Sequence, residues 1–579
     1  MLSQIDQKKI KFKLKNIYKY HLSETEISEC YKEITKLINK FNKKKNKKKK
    51  IISEKTSIVI CYGDSVFSSS QRHLLKNFQG FYQKKLSKYF NTVHFLPFYP
   101  SSSDSGFAVK DHYKIDSRLG NWSDITKFSK KIDVMADIVI NHSSARGLWF
   151  KNFLKKKKPG KDYFLTVNSN FNVSKVIRPR DHQLLKKIDI FKKPEYLWRT
   201  FSPDQLDMNF KNPAVLLRFI KIMLNLINHG VTIFRLDAIA YLWKESGTSC
   251  LNLPQTHGII KLIRQIANFY RDDVVIVTET NLPNQENLSY FGNGNEAHWI
   301  YNFPLPPLVI NSLLFADASS LRRWSMSMPP ALEGTAYLNF LSSHDGFGMR
   351  PTEGLLSHQQ RDNLLKRLEQ NGSLFSWRSR PDGSKSVYEA NTTLYTALQR
   401  TDKDPLGYYQ IDRFIAAYTL IFAMEGIPAI YINSFIGAEN DIDSVKHSGM
   451  NRRINRQKFQ KDWTDECLNN EESKEAQILS GLKTLLRVRA KQPAFHPNAT
   501  QFTLQLGESF FGVWRQSKDR RQSIFAITNL CATESSLDLT EINLINTETW
   551  YDLINGDSIS AQQIQLMMKP YQTVWLSNR

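Results

Sequence analysis

Four short segments constrain this chain more than anything else in it: DIVINH (137–142), VTIFRLDA (231–238), VVIVTET (274–280) and FLSSHDG (340–346). Each is an apolar, β-branched run that ends in ionisable residues: His142, Arg235 with Asp237, Glu279, and His344 with Asp345. A strand that is apolar along its length and polar only at its carboxyl end is what a parallel barrel presents, with packing inside and chemistry at the top face. Three carboxylates and two histidines are therefore expected to converge on one site.

The spacing of the other apolar runs agrees with a barrel. SIVICY (57–62), TVHFLPF (92–98), VMADIVIN (134–141), VTIFRL (231–236), VVIVTE (274–279), HWIYNF (298–303), AYLNFL (336–341) and IPAIYI (427–432) alternate with helical stretches, which predicts an α/β fold, a (β/α)8 TIM barrel. Residues 143–230 are too many for one crossover and read as an inserted subdomain after strand 3, over the barrel mouth and ending in a helix near 213–228. A second long insertion covers roughly 346–407. From about Phe495 short alternating runs separated by turn residues predict a C-terminal antiparallel β domain. Ahead of the barrel, Ser23 and Glu26 form a capping box for an amphipathic helix whose apolar face is Ile27, Tyr31, Ile34, Ile38 and Phe41. The expected division is 1–55 for the helical segment and lysine-rich linker, 56–142 with 231–490 for the barrel, 143–230 for the insertion and 491–579 for the β domain.

The net charge of +25 over 579 residues invites a nucleic-acid partner, so its distribution decides the matter. The first 55 residues hold 17 Lys against 6 acids, concentrated in KKKNKKKK (43–50). That run has no interleaved aromatics and no recognition motif, so a solvated linker is expected and no nucleic-acid partner. The five cysteines are scattered and lack CxxC spacing, which suggests neither a disulfide framework nor a zinc site and favours a reducing, cytoplasmic location. No run of about 18 apolar residues marks a membrane span. The composition leaves the oligomeric state open.

The four opening segments resemble, in order and placement on strands three, four, five and seven, the four signature regions of the α-amylase clan, glycoside hydrolase family 13. YGDSV (62–66), SSSDSGFAVKDH (101–112), FGNGNEAHWIYNFPLPPL (291–308) and SHDGFGMRP (343–351) look like the sucrose phosphorylase subgroup. Within that subgroup, RPTEGLL (350–356) and SRPDGSKSVYEAN (379–391) look most like glucosylglycerate phosphorylases. The resemblance implies a phosphorylase that moves a glucosyl group from an α-glucoside to inorganic phosphate, without a cofactor or a metal.

Cleaving an α-glucosidic bond with retention needs one carboxylate to attack the anomeric carbon and one carboxylic acid to protonate the leaving oxygen. Asp237 is the expected nucleophile and Glu279 the acid/base. Arg235, two residues before Asp237 on one strand, shares its face and is expected to hold that carboxylate ionised with a depressed pKa. Glu279 must start protonated, which calls for a raised pKa. Asp345, His142 and His344 are expected to hold sugar hydroxyls, with Asp345 favouring the transition state. The resemblance adds Asp104 as a further hydroxyl ligand and Phe107 and Phe201 as apolar walls. Phosphate calls for arginine, and the resemblance implies Arg180, in RPR (178–180), and Arg452, in GMNRRINRQ (449–457), where the family often has Gly-Arg in place of Gly449 and Met450. Glyceric acid is the favoured acceptor, with fructose, fructose 6-phosphate and glycerol as alternatives. A retaining glucosidase or transglucosidase, and a non-catalytic sugar-binding barrel, are the competing readings.

Overall fold

The computed structural model describes residues 3–41, 52–68, 73–188, 195–380, 383–542, 544–545, 549–560 and 562–579. The lysine run at 43–50 lies outside the described residues. All eight expected strands form and close into one parallel barrel: β1 (Ile58–Cys61), β2 (Thr92–Phe95), β3 (Asp133–Val139), β4 (Val231–Asp237), β5 (Val275–Thr278), β6 (Trp299–Tyr301), β7 (Ala336–Asn339) and β8 (Ile427–Tyr431). Each pairs in parallel with its chain neighbour, and β8 closes on β1 through Ile58 opposite Ala429. Helices outside and side chains inside cover both faces, so the strands are buried nearly throughout, which is why they read as continuous apolar runs and not as alternating ones.

The long segments between strands gather above the carboxyl ends. Between β3 and β4 lie a strand pair, His142–Ser144 with Gln205–Asp207, and a small antiparallel sheet of Thr166–Val167, Glu195–Trp198 and Leu185–Ile188. The helix Pro213–Asn228 that follows is capped by Asn212, opens on Pro213 and turns nine apolar side chains inward. It packs on β4 as the crossover of that βαβ unit. After β7 a second antiparallel sheet, Phe347–Gly348, Lys385–Asn391 and Leu374–Ser379, rises beside the mouth. The C-terminal strands Thr500–Thr503, Phe510–Gln516, Ser523–Asn529, Thr573–Ser577, Trp550–Asp552 and Ser558–Ile559 make one antiparallel sheet in that spatial order. The pair Ser535–Asp538 and Gln565–Met568 forms a second sheet over it.

The amino-terminal segment holds two helices where the apolar spacing predicted one. The capping box of Ser23 and Glu26 opens the expected helix α2 (Glu24–Lys40), but α1 (Gln4–Tyr18) precedes it. The face of α1 that buries Ile10, Leu14, Ile17 and Tyr18 is masked in the sequence by interleaved lysines. It lies on the helix Pro254–Tyr270, where a β-carbon at Gly258 would come within 2.8 Å of Ile17. At the far end of α2 the Tyr270 hydroxyl sits 2.7 Å from the Ile38 carbonyl and 2.5 Å from that of Phe41. Tyr270→Phe removes this tether, a loss of about 1 kcal/mol for a buried hydrogen bond. Amide exchange within α2 is expected to quicken roughly fivefold on that basis, and exchange in β4, read in the same experiment, should not change.

Candidate active site

One guanidinium organises the barrel mouth. Arg235 and Asp137 are register partners across β4 and β3, and Asp237 lies two residues beyond Arg235 on the same inward face. Arg235 Nη1 donates to Asp237 Oδ1 at 2.8 Å and to Asp137 Oδ1, and Nη2 lies 3.9 Å from Glu279 Oε1. The other oxygen of Asp137 is 2.8 Å from His94 Nε2. A single buried cation therefore faces three carboxylates, too little positive charge to keep all three ionised.

The titration of these groups follows. Burial acts against the charged form of Asp137, but Arg235 and His94 outweigh it and hold the group below the usual carboxylate range. The expected depression of Asp237 is not found. Burial pushes Asp237 well above the ordinary value, Arg235 pulls it back, and the neighbouring charges of Glu279 and Asp137 push it up again. Glu279 is raised, first by burial and then by Asp345, against the pull of Arg235. Asp237 and Glu279 thus titrate as a pair that holds a proton at pH values where isolated carboxyls have lost theirs.

Backbone strain sets the two loops nearest this pair. Ala238, directly after Asp237, has φ of 49°, which turns its N–H onto Glu279 Oε2 at 2.7 Å. Asp104 and Ser105 both have φ of 50° and Gly106 has φ of 110°. A β-carbon at Gly106 would come 2.6 Å from the Pro97 carbonyl, so only glycine lets this loop lie so close to the barrel. Left-handed non-glycine residues cost on the order of 1–3 kcal/mol each and persist where the surroundings hold them. Here Asp104 is held by Arg456 Nη1 at 3.0 Å and Gln205 Nε2 at 3.3 Å.

A second charge cluster stands opposite the first. Arg452 reaches Asp345 Oδ1 at 2.8 Å and Glu389 Oε2 at 3.0 Å, while Arg456 donates to the His344 carbonyl at 2.8 Å and to Asp345 Oδ1 at 3.3 Å. Burial alone would raise Asp345, but Arg452, His344 and Arg456 hold it far below the carboxylate range. Among the described residues Arg180 carries only a 3.8 Å contact to Glu389 and a bond to its neighbour's carbonyl, with its guanidinium 5.1 Å from the Tyr388 ring centre.

His142 Nε2 lies 3.1 Å from the Phe107 carbonyl, and His344 stacks on Phe107 with ring centres 4.7 Å apart. Phe201 packs against both His142 and Tyr241. Burial lowers the pKa of His142 and takes His344 down to about 3, so both imidazoles are neutral at pH 7. His344 Nδ1 is shielded from water and has no hydrogen-bond partner.

All eleven residues singled out from the sequence line one cavity: Asp104, Phe107, His142, Arg180, Phe201, Arg235, Asp237, Glu279, His344, Asp345 and Arg452. The sequence reasoning did not name Asp137, His94, Glu389, Gln205 or Arg456. Asp137 opens the same segment as His142, and Arg456 lies four residues past Arg452, so both were within reach of the motifs. Glu389 and Gln205 sit in insertions whose folding no local pattern reveals. Among the described residues no group of three or more His, Cys, Asp or Glu could hold a metal ion.

A parallel barrel with two carboxylates beside one arginine at its mouth, and a third beyond its seventh strand, has the groups a carbohydrate-active barrel enzyme needs. The family model "Alpha amylase, catalytic domain" matches residues 81–352. The chain is 37% identical to a glucosylglycerate phosphorylase of Allomeiothermus silvanus, across 90% of this chain and 91% of that protein. It is 36% identical to the glucosylglycerate phosphorylase of Escherichia coli (strain K12), across 91% and 93%. The crystal structure of sucrose 6F-phosphate phosphorylase from Thermoanaerobacter thermosaccharolyticum superposes with a TM-score of 0.72 at 24% identity, across 89% of this chain and 98% of that one. The chain belongs to the α-amylase family of glycoside hydrolases and transglycosylases, in its sucrose phosphorylase subgroup.

The raised Glu279 pKa has a consequence for stability. A carboxyl whose folded pKa exceeds its unfolded value, about 4.5, carries no penalty below that value and a penalty that grows as pH rises through the folded pKa. Glu279→Gln keeps an acceptor for the Ala238 N–H without the buried charge. It should therefore melt higher than the parent at pH 7 and equal to it near pH 4, as read by calorimetry across pH; a gain that instead grows toward acid would reverse the sign assigned here.

Proposed function

We propose that this protein is a retaining α-glucoside phosphorylase of the cytoplasm, transferring a glucosyl group through a covalent Asp237 intermediate to inorganic phosphate, with glycerate as the favoured acceptor. The observation that carries the proposal is the sharing of Arg235 by Asp237 and Glu279, which supports one nucleophile and one acid side by side. Asp237 takes the anomeric carbon as Glu279 gives its proton to the leaving oxygen; phosphate then attacks the glucosyl ester and returns a proton to Glu279, releasing α-glucose 1-phosphate. The Arg235 guanidinium turns Asp237 Oδ1 away from free rotation and favours its ionised form within the pair. Asp345, fixed as an anion by Arg452 and Arg456, and Asp104 would grip ring hydroxyls together with the neutral imidazoles of His142 and His344. Phe107 and Phe201 would wall the ring.

Phosphate is a doubly charged guest in a site rich in carboxylates, so it needs cations not already spent on them. Arg180, with its long contact to Glu389, suits that role, while Arg452, already paired with Asp345 and Glu389, would contribute to phosphate binding only as a neighbouring charge. The phosphorylases at 36–37% identity support phosphate over water as the glucosyl acceptor. The five free cysteines support a reducing compartment, and no helix among the described residues is long and apolar enough to cross a membrane.

Phosphate-dependent release of glucose 1-phosphate from glucosylglycerate, measured beside sucrose, sucrose 6-phosphate and glucosylglycerol, tests the reading; free glucose at the same rate without phosphate would make the protein a hydrolase. Glu279→Gln should lose about 10²–10⁴-fold with a glycerate leaving group, yet retain release of fluoride from α-glucosyl fluoride, which needs no proton. Asp237→Asn should lose turnover with both donors. With the Glu279 charge gone, the Asp237 pKa falls, so the acid limb of the fluoride reaction should move to lower pH. Arg180→Ala should raise the KM for phosphate at least tenfold and leave slow hydrolysis intact.

A further inference from the structure

Arg350 is a buried cation whose charge the protein leaves largely unanswered. The residue is 5% exposed, and its Nε and Nη1 are shielded from water with no hydrogen-bond partner. Its one ion pair among the described residues, from Nη2 to Glu286 Oε1, is 3.9 Å long and reaches a carboxylate whose side chain is 40% exposed. Every other arginine described at the mouth bonds a carboxylate or a carbonyl: Arg235, Arg452 and Arg456 each at 3.0 Å or less, and Arg180 through the Pro179 carbonyl. Leaving guanidinium donors dry and unpaired is costly unless an anion completes them.

The position of Arg350 says which anion. It begins the 3-10 turn Arg350–Thr352, two residues after Gly348, which lines the cavity. Gly348 lets that strand approach Asn281, since a β-carbon there would collide with the Asn281 side chain. Asn281 also lines the cavity, two residues past Glu279, and its own Oδ1 is buried without a partner. The positive field of Arg350 reaches the hydroxyls of Tyr241 and Tyr388, which also feel Glu279. Asn281 thus stands in the cavity wall two residues past Glu279, and Arg350 follows the lining residue Gly348 by two positions without itself lining the cavity.

We propose that Arg350 binds the carboxylate of the acceptor and selects a short hydroxy acid over a neutral polyol, with the Asn281 amide taking one of its hydroxyls. In a 2-hydroxy acid the carboxylate is one carbon from the oxygen that carries the glucosyl group, so an anion site close behind Glu279 matches it. This rests on Asp237 and Glu279 acting as nucleophile and acid/base, and it divides the cations of the pocket: Arg180 serves phosphate, Arg350 serves the acceptor.

The experiment transfers glucose from α-glucosyl fluoride to glycerate or to glycerol, which share a skeleton and differ in charge, and needs no phosphate. In the parent, glycerate should be the better acceptor by at least tenfold in kcat/KM. Arg350→Met should abolish that preference by raising the KM for glycerate while glycerol transfer stays within twofold, and Arg350→Lys should restore part of it. Loss of both acceptors in parallel, with Arg350→Lys no better than Arg350→Met, would make Arg350 structural and overturn the proposal, as would unchanged selectivity or a parent indifferent to the carboxylate. In a parallel phosphorolysis of glucosylglycerate by the Arg350→Met variant, a rise confined to the KM for phosphate would assign Arg350 to phosphate and overturn the proposal. Failure of the phosphorylase reading has a separate signature, the absence of glucose 1-phosphate when the parent is given phosphate.

Discussion

The site depends on one guanidinium in a place where water cannot help it. Arg235 is buried inside the barrel and bonds Asp137 and Asp237 while standing beside Glu279. Its charge is enough to hold Asp137 ionised with help from His94, and not enough for the other two. That shortfall makes Asp237 and Glu279 a proton-sharing pair, and a proton-sharing pair is what supports one carboxyl attacking while the other protonates.

The same arithmetic of charge runs through the rest of the pocket. Arg452 and Arg456 come from one short turn, and they fix carboxylates that enter from three distant parts of the chain: Asp104 after β2, Asp345 after β7 and Glu389 in the sheet beside the mouth. These bonds tie the insertions to the barrel at the point where they must not move. The strained turn at Asp104 is held by one of these ion pairs and that at Ala238 by its N–H bond to Glu279, so strain at the rim is met by charged partners.

The elements that were legible share a physical cause. Barrel strands are covered on both faces, so their apolar runs cannot be mistaken for surface, and the polar residues that interrupt them at the carboxyl ends stand out. Asp237, Glu279 and Asp345 were visible for that reason. Helix α1 was not, because a helix that docks only a narrow stripe can be mostly lysine elsewhere. The expected low pKa of Asp237 was wrong for a related reason: the sequence shows Arg235 two residues away and Glu279 at the same mouth, but not that Asp137 also shares the guanidinium, nor the depth of burial.

Strand order, the placement of acids and bases at strand ends, and the shared face of Arg235 and Asp237 follow from the sequence by itself, because local periodicity and the parallel barrel leave those side chains one direction to point. Charge balance belongs to the tertiary structure alone. Which carboxylates share Arg235, which arginines are already paired, and that Arg350 is buried with its donors unmet all depend on contacts between residues tens to hundreds of positions apart, and electrostatic energy in a buried pocket is set by those distances and not by the order of the chain.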